Sequence, residues 1–161
     1  MAKQSKIPRI AIAGVTSGVG KTSITCSIIH GMKDKGYSVQ PFKVGPDYID
    51  PTYLSAISGN NTRNLDSWIM GKDAVVTSFL KNSNSDISVI EGVMGFYDGF
   101  SGTSNFSSTH HIASILQAPV ILILDASKTA RSIAATALGY TKFHRNSRIV
   151  GLIRVCTAEE L

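Results

Sequence analysis

Arg9-Ile10-Ala11-Ile12-Ala13-Gly14-Val15-Thr16-Ser17-Gly18-Val19-Gly20-Lys21-Thr22 runs an apolar strand into a glycine-rich turn and on into a helix. Gly20-Lys21-Thr22 is the ending of a phosphate-binding loop. Glycines let backbone N–H groups turn inward onto phosphate oxygens, the lysine reaches the terminal phosphates, and the threonine hydroxyl can ligate Mg²⁺. The helix start adds its own partial positive charge. The strict pattern wants glycine five residues before Gly20, where this chain has Val15; Gly14 stands one residue further back, so the loop is a variant. A glycine-rich helix cap is the bland alternative. The strand before and the helix after favour nucleotide binding, with Gly14, Thr16, Ser17, Gly18, Val19, Gly20, Lys21, Thr22 and Ser23 as the contacting residues.

Outward from this loop, short apolar runs alternate with helical periods. Strands are predicted at Arg9–Ala13, Ser38–Val44, Ile87–Ile90, Pro119–Leu124 and Ile149–Val155, with Pro41 marking an edge or a strand end. Helices are predicted at Thr22–Lys35 with Gly36 as its stop, Pro51–Ile57, Asp73–Leu80, Ser108–Leu116 with a Ser or Thr cap, and Ala130–Phe143. Strand-helix alternation implies parallel pairing, and strands apolar without alternation imply cover on both sheet faces. The fold class is therefore α/β: a doubly wound, mainly parallel sheet of about five strands with helices on both faces. Gly92 to Ser107 shows little periodicity, and a connection that long is more often functional than idle.

Nucleotide chemistry on Mg²⁺ needs oxygen ligands at the carboxyl ends of strands. Asp47 and Asp50 follow the second strand, Glu91 ends the third, and Asp98 lies seven residues beyond it. A carboxylate ending an apolar strand is costly unless paired or on a metal, which favours Glu91 as a ligand. Asp50 reads equally well as a cap before Pro51, Asp125 as a cap or a supporting acid, and Asp66 as the cap of a following turn. Adjacent His110 and His111 point different ways on a helix and read as surface histidines; Arg131 reads either as a ligand contact or as an ordinary surface arginine. Cys26 reads as a small core residue.

Composition excludes other classes. The chain has 161 residues, 43% hydrophobic and 17% charged, which suits one domain able to bury about two thirds of its unfolded surface. No apolar run approaches the roughly 20 residues of a membrane helix, and the basic Met1–Lys6 stretch leads into a strand rather than a leader's core. Two distant cysteines suggest a reducing cytoplasm. Sixteen Lys+Arg against eleven Asp+Glu gives +5, scattered without arginine blocks or interleaved aromatics, so no nucleic-acid surface is expected.

Five ordered segments carry a more specific likeness. Gly14 to Thr22, Pro41-Phe42-Lys43-Val44-Gly45-Pro46-Asp47-Tyr48-Ile49-Asp50-Pro51, Arg63-Asn64-Leu65-Asp66-Ser67-Trp68, Glu91 to Gly99, and Asp125-Ala126-Ser127 resemble the synthetase domain of the cobyrinic acid a,c-diamide synthase family, to about Val150. The resemblance implies ATP- and Mg²⁺-dependent amidation of the a and c acetates of a corrinoid through an acyl phosphate. It implies Thr22, Asp47 and Glu91 as metal ligands, Lys21 on phosphate, and Asp50 and Asp98 beside the reacting groups. Ammonia in this family comes from a C-terminal glutamine amidotransferase domain. The expectation is accordingly one synthetase domain over 1–161, a tetrapyrrole polycarboxylate as substrate, and a separate glutaminase domain or subunit as partner; a homodimer stays open. Gly151-Leu152-Ile153-Arg154-Val155 lacks the Asn that relatives carry near adenine. A sirohydrochlorin substrate, or a nucleotide-binding fragment without amidation, are the alternatives. A partitioning-type switch is disfavoured because Val15-Thr16-Ser17 holds no second lysine, and dethiobiotin synthetase by the Asn64–Trp68 and Glu91–Gly99 segments.

Overall fold

A computed structural model describes residues 7–156; Met1–Lys6 and the last five residues lie outside it. The elements run β1 (Arg9–Gly14), α1 (Lys21–Asp34), β2 (Val39–Val44), α2 (Asp50–Ser58), β3 (Arg63–Leu65), α3 (Gly71–Asn82), β4 (Ile87–Glu91), α4 (Thr109–Leu116), β5 (Val120–Asp125), α5 (Ser132–Phe143) and β6 (Ile149–Val155). The strands form one sheet in the order β3-β2-β4-β1-β5-β6, every pair parallel.

Strand alternation divides the core in two. One face collects Ala11, Ala13, Phe42, Ile90 and Leu122 against Val75 and Phe79 of α3, Ile112 and Leu116 of α4 and Ala137 of α5. The other sets Ile12, Val39, Val89 and Ile123 against Ile29 of α1 and Leu54 of α2. Ile12, Ile29, Leu54 and Val89 are fully buried, each contributing about 1.5–3 kcal/mol. Helices thus cover both faces, as expected of a doubly wound sheet. No helix of the described residues is long and apolar enough to cross a membrane.

The sheet has six strands rather than five. The addition is β3, a three-residue edge paired to Phe42–Val44. Pro41 sits just beyond the reach of β3, at the end of that pairing, and β2 lies inside the sheet. The predicted Asp73–Leu80 helix extends two residues at each end, and α4 carries the expected Ser108 cap, whose hydroxyl accepts from His111 N at 3.1 Å. His110 and His111 are not surface histidines. His110 is 4% exposed beneath Phe96, and His111 is half-buried, its Nδ1 within 2.9 Å of Ser67 Oγ. Cys26 is half-buried against the second core cluster.

Candidate nucleotide and acyl-transfer site

The register brings the chemistry to one level. Lys43 of β2 pairs with Glu91 of β4, and Glu91 with Ile12 of β1, so the carboxyl ends of three central strands meet just below the glycine loop. Gly20 caps α1 at φ 87°, a left-handed conformation that favours glycine, and leaves the first helical N–H groups pointing into the cleft. The loop is tied down from two sides. Gly14 O accepts from Phe96 N at 2.8 Å, and Tyr140 Oη donates to Val15 O at 2.8 Å.

A cleft of about 370 Å³ opens here, lined by the predicted Ser17, Gly18, Gly20, Lys21, Thr22, Ser23, Asp47 and Asp50 and by the unpredicted Lys43. Gly14, Thr16 and Val19 support it from behind. Thr16 O accepts from Lys21 Nζ at 2.9 Å, and the Val19 side chain is buried in the core. Lys21 Nζ also donates to Met94 O at 2.8 Å. Burial, and then the neighbouring Lys43 ammonium, hold the Lys21 pKa below the ordinary lysine value. A larger hollow, about 490 Å³ beside Phe96, His110 and Arg145, holds none of the loop residues.

Lys43 is the centre of the charged floor. It is 2% exposed, and its Nζ lies 2.5 Å from Asp50 Oδ2, 2.8 Å from Glu91 Oε1 and 3.6 Å from Asp47 Oδ2. It also donates to Gly92 O at 3.2 Å. Burial alone would lower its pKa; the Glu91 charge and the hydrogen bonds from Lys43 to Asp50 and Glu91 outweigh that and raise it. Glu91 is fully buried, and desolvation pushes its carboxyl up while Lys43 opposes the shift. Burial also pushes the Asp50 carboxyl upward, but its hydrogen bond from Lys43 prevails and leaves it low.

Thr22 Oγ1 donates to Glu91 Oε1 at 2.8 Å, while Glu91 Oε2 is buried with no hydrogen-bond partner among the described residues. Asp47 Oδ1 accepts from Ile49 N at 2.8 Å and Asp50 N at 3.3 Å, so Asp47 rather than Asp50 caps the turn into α2. Asp98 stands apart from the cleft lining. Its Oδ2 accepts from Gly95 N at 3.0 Å, bracing the loop that carries Met94. Asp66 caps its turn as expected, through Trp68 N at 2.7 Å and Ile69 N at 3.0 Å. Asp125 is exposed and bound to Ser127 N and Oγ, and Arg131 is exposed.

Thr22, Asp47 and Glu91 offer a hydroxyl and two carboxylates, and no group of three or more His, Cys, Asp or Glu among the described residues forms a self-sufficient metal cage. Mg²⁺ at nucleotide sites needs no such cage: one or two protein oxygens complete a shell of phosphate and water. The unpartnered Glu91 Oε2 fits that role. The arrangement as a whole can hold a polyphosphate on the loop and set a dense array of charge at its terminal end.

Lys43 was missed because a lysine in a basic chain reads as solvated charge. The signal was its place: an ionisable residue inside the strand Val39-Gln40-Pro41-Phe42-Lys43-Val44, directly between the buried Phe42 and Val44.

The chain matches the CobQ/CobB/MinD/ParA nucleotide binding domain model over residues 10–155. It is 47% identical over 147 residues to the cobyrinate a,c-diamide synthase of Dehalococcoides mccartyi, covering 91% of this chain and 32% of that protein. It is 43% identical over 150 residues to the hydrogenobyrinate a,c-diamide synthase of Streptomyces coelicolor, covering 92% and 31%. The chain thus spans about a third of the length of the curated relatives it matches. Among solved structures, the signal recognition particle receptor FtsY of Elizabethkingia anophelis superposes with TM-score 0.66 at 19% identity, over 92% of this chain and 50% of that one. The BceF tyrosine kinase domain gives 0.61 at 14%, over 95% and 72%. These two likenesses are of fold.

Proposed function

Because the chain belongs to the CobQ/CobB/MinD/ParA nucleotide-binding domain family, we propose that it is the ATP-dependent synthetase part of a cobyrinate-type a,c-diamide synthase. The reaction is amidation of the a and c acetate carboxylates of a tetrapyrrole through an acyl phosphate. One observation carries the reading: the phosphate-loop Lys21 and Thr22 share a cleft with the Lys43–Glu91–Asp50 cluster, to which Thr22 is hydrogen-bonded, in a chain 43–48% identical to diamide synthases.

The chemistry follows from the electrophile. A carboxylate is a poor one, so a leaving group must be installed. A substrate carboxylate oxygen attacks the γ-phosphorus, the bond to the β-phosphate oxygen breaks, and ADP leaves. Ammonia then attacks the acyl carbon, the C–O bond to phosphate breaks, phosphate departs with that oxygen, and the nitrogen sheds a proton. Catalysis is positioning and charge neutralisation. Lys21, with its ammonium held between the Thr16 and Met94 carbonyls, is within reach of phosphate oxygens. The loop N–H groups bind the rest. Lys43 offsets the charge of Glu91, Asp47 and Asp50, so that an anionic substrate can approach. Asp50, which lines the cleft, would stand beside the reacting carboxylate, and Asp98, outside that lining, would act through the Met94 loop that it braces. Thr22, Glu91 and Asp47 would hold Mg²⁺, which when bound neutralises phosphate charge.

Ammonia would come from a glutamine amidotransferase domain or subunit, and the setting would be the cytoplasm. The test is ADP release with MgATP, ammonium and hydrogenobyrinic acid, with product mass followed in the same tubes. The expected result is ADP formation that requires the tetrapyrrole, accompanied by acid-to-amide conversion. ATP binding with neither signal would overturn the reading.

A further inference from the structure

Beside the phosphate cleft the surface becomes apolar. Trp68 and Phe100 stack with ring centroids 5.6 Å apart and planes at 25°, yet they are 60% and 66% exposed. They line a hollow of about 200 Å³ with Val93 and Met94, which also line the phosphate cleft, so the two recesses share a wall. Exposed aromatic surface gathered in one place marks a binding site more often than chance.

The shelf is held rigidly. Asp66 is buried and fixes the backbone of Trp68 through its cap bonds. Met94 (φ 48°) and Ser107 (φ 64°), both lining the hollow, are non-glycine residues in the left-handed region. Such conformations persist where the surroundings impose them, and they gather at ligand sites. At Met94 the twist has two effects: its carbonyl takes the Lys21 ammonium, and its side chain is left 42% exposed at the junction of the recesses. At Ser107 the N–H is bound to His111 Nδ1 at 3.2 Å. Burial first, and then the Lys72 charge, lower the His111 pKa, which favours the neutral ring.

We propose, building on the amidation reading, that Trp68 and Phe100 with Met94 form the platform on which the conjugated macrocycle of a tetrapyrrole polycarboxylate lies. A broad, rigid π-system matches an offset aromatic pair and loses little conformational entropy on binding. The shelf's place beside the cleft, across the shared Val93 and Met94, lets one rim carboxylate reach the phosphate while the others stay in water. Trp68 and Phe100 are substrate-positioning residues that touch neither nucleotide nor metal.

Trp68 is the chain's single tryptophan and reports on its own site. The intact chain is titrated with hydrogenobyrinic acid, following Trp68 emission against N-acetyltryptophanamide to correct for absorbance, with ATP affinity measured separately by calorimetry. The expected result is saturable quenching. Phe100→Ala weakens the apparent Kd about tenfold, as loss of a stacking partner with its apolar area requires, and Phe100→Tyr restores it. ATP affinity stays within about twofold throughout. Emission that follows the free-tryptophan control, or a Phe100→Ala titration matching the parent, overturns the platform. So does equal quenching by MgATP alone, which assigns the shelf to the base. So does a parent dimer in sedimentation that Phe100→Ala makes monomeric, which assigns it to a second copy. Tetrapyrrole-dependent ADP release with an unmoved Trp68 rejects the platform alone; absence of ATP binding in the parent rejects the amidation reading.

Discussion

Lys43 and Lys21 are both buried cations within one cleft, and their environments divide their labour. Lys43 is ringed by carboxylates at 2.5, 2.8 and 3.6 Å. Lys21 faces two neutral carbonyls. Lys43→Met strands the fully buried Glu91 without its ammonium, and removal of one partner of such a pair costs about 3–5 kcal/mol. Urea unfolding should show that loss. Adding Glu91→Gln should recover much of it, because the second charge goes too; a double variant as unstable as the sum of the singles would refute the pairing. Lys21→Ala gives up only bonds to carbonyls, so stability should fall by about 1 kcal/mol while ATP affinity drops at least about a hundredfold in calorimetry. Nearly unchanged ATP binding would remove Lys21 from the site. Of these two, Lys21 was legible from Gly20-Lys21-Thr22. Lys43 was not, since burial of a lysine depends on Asp47 and Asp50 of its own segment folding back on it and on Glu91 from a distant strand meeting it.

Elements were legible where their period was strong. The five strands with apolar runs and the five helices stand where the pattern put them, to within a few residues. β3 was not, because Arg63-Asn64-Leu65 has no apolar alternation. It is held by pairing with β2 and by Asn64 Nδ2, which donates to Gly45 O at 2.8 Å and Asp47 O at 2.7 Å. The connection from Gly92 to Ser107 was recognised by its glycines, but not its packing. Gly99 sits where a Cβ would collide with the backbone carbonyl of Phe106 and approach Ser108 N at 3.0 Å, whereas Gly102 has nothing within 4 Å. Backbone cannot yield as a side-chain tip can. Gly99→Ala should therefore lower stability by about 1–3 kcal/mol and shift Trp68 emission through displaced Phe100. Gly102→Ala should stay within about 0.5 kcal/mol. Equal effects of the two, read by urea midpoint, would contradict the packing described.

At the scale of the whole molecule, one aromatic cluster joins the site loop to the far helices. His110 of α4 packs on Phe96 at 5.4 Å, Tyr97 at 5.2 Å and His144 at 4.5 Å, and Tyr97 stacks on Tyr140 of α5. Tyr97 Oη donates to Tyr140 O at 2.7 Å, and Tyr140 in turn holds Val15 of the phosphate loop. Sequence pattern could not reveal this, because two adjacent histidines look alike until tertiary packing buries one. Burial foremost, with His144 and His111 adding to it, lowers the His110 pKa from 6.5 to about 4. Its Nδ1 is buried without a hydrogen-bond partner among the described residues, so the fold favours the neutral ring. In the unfolded chain the same ring takes its proton near pH 6.5. Acidification therefore favours the unfolded state first. The His110 contribution is intact above about pH 6.5, declines as pH falls toward 4, and levels off below that, for a loss of up to about 3 kcal/mol at about 1.4 kcal/mol per unit of pH. His110→Phe keeps the ring contacts and removes the titration. Between pH 7 and 4.5 its urea midpoint should fall less steeply than the parent's, since carboxylates contribute equally to both chains. Parallel pH profiles would mean that His110 is protonated in the fold and that the cluster is wetter than its burial implies.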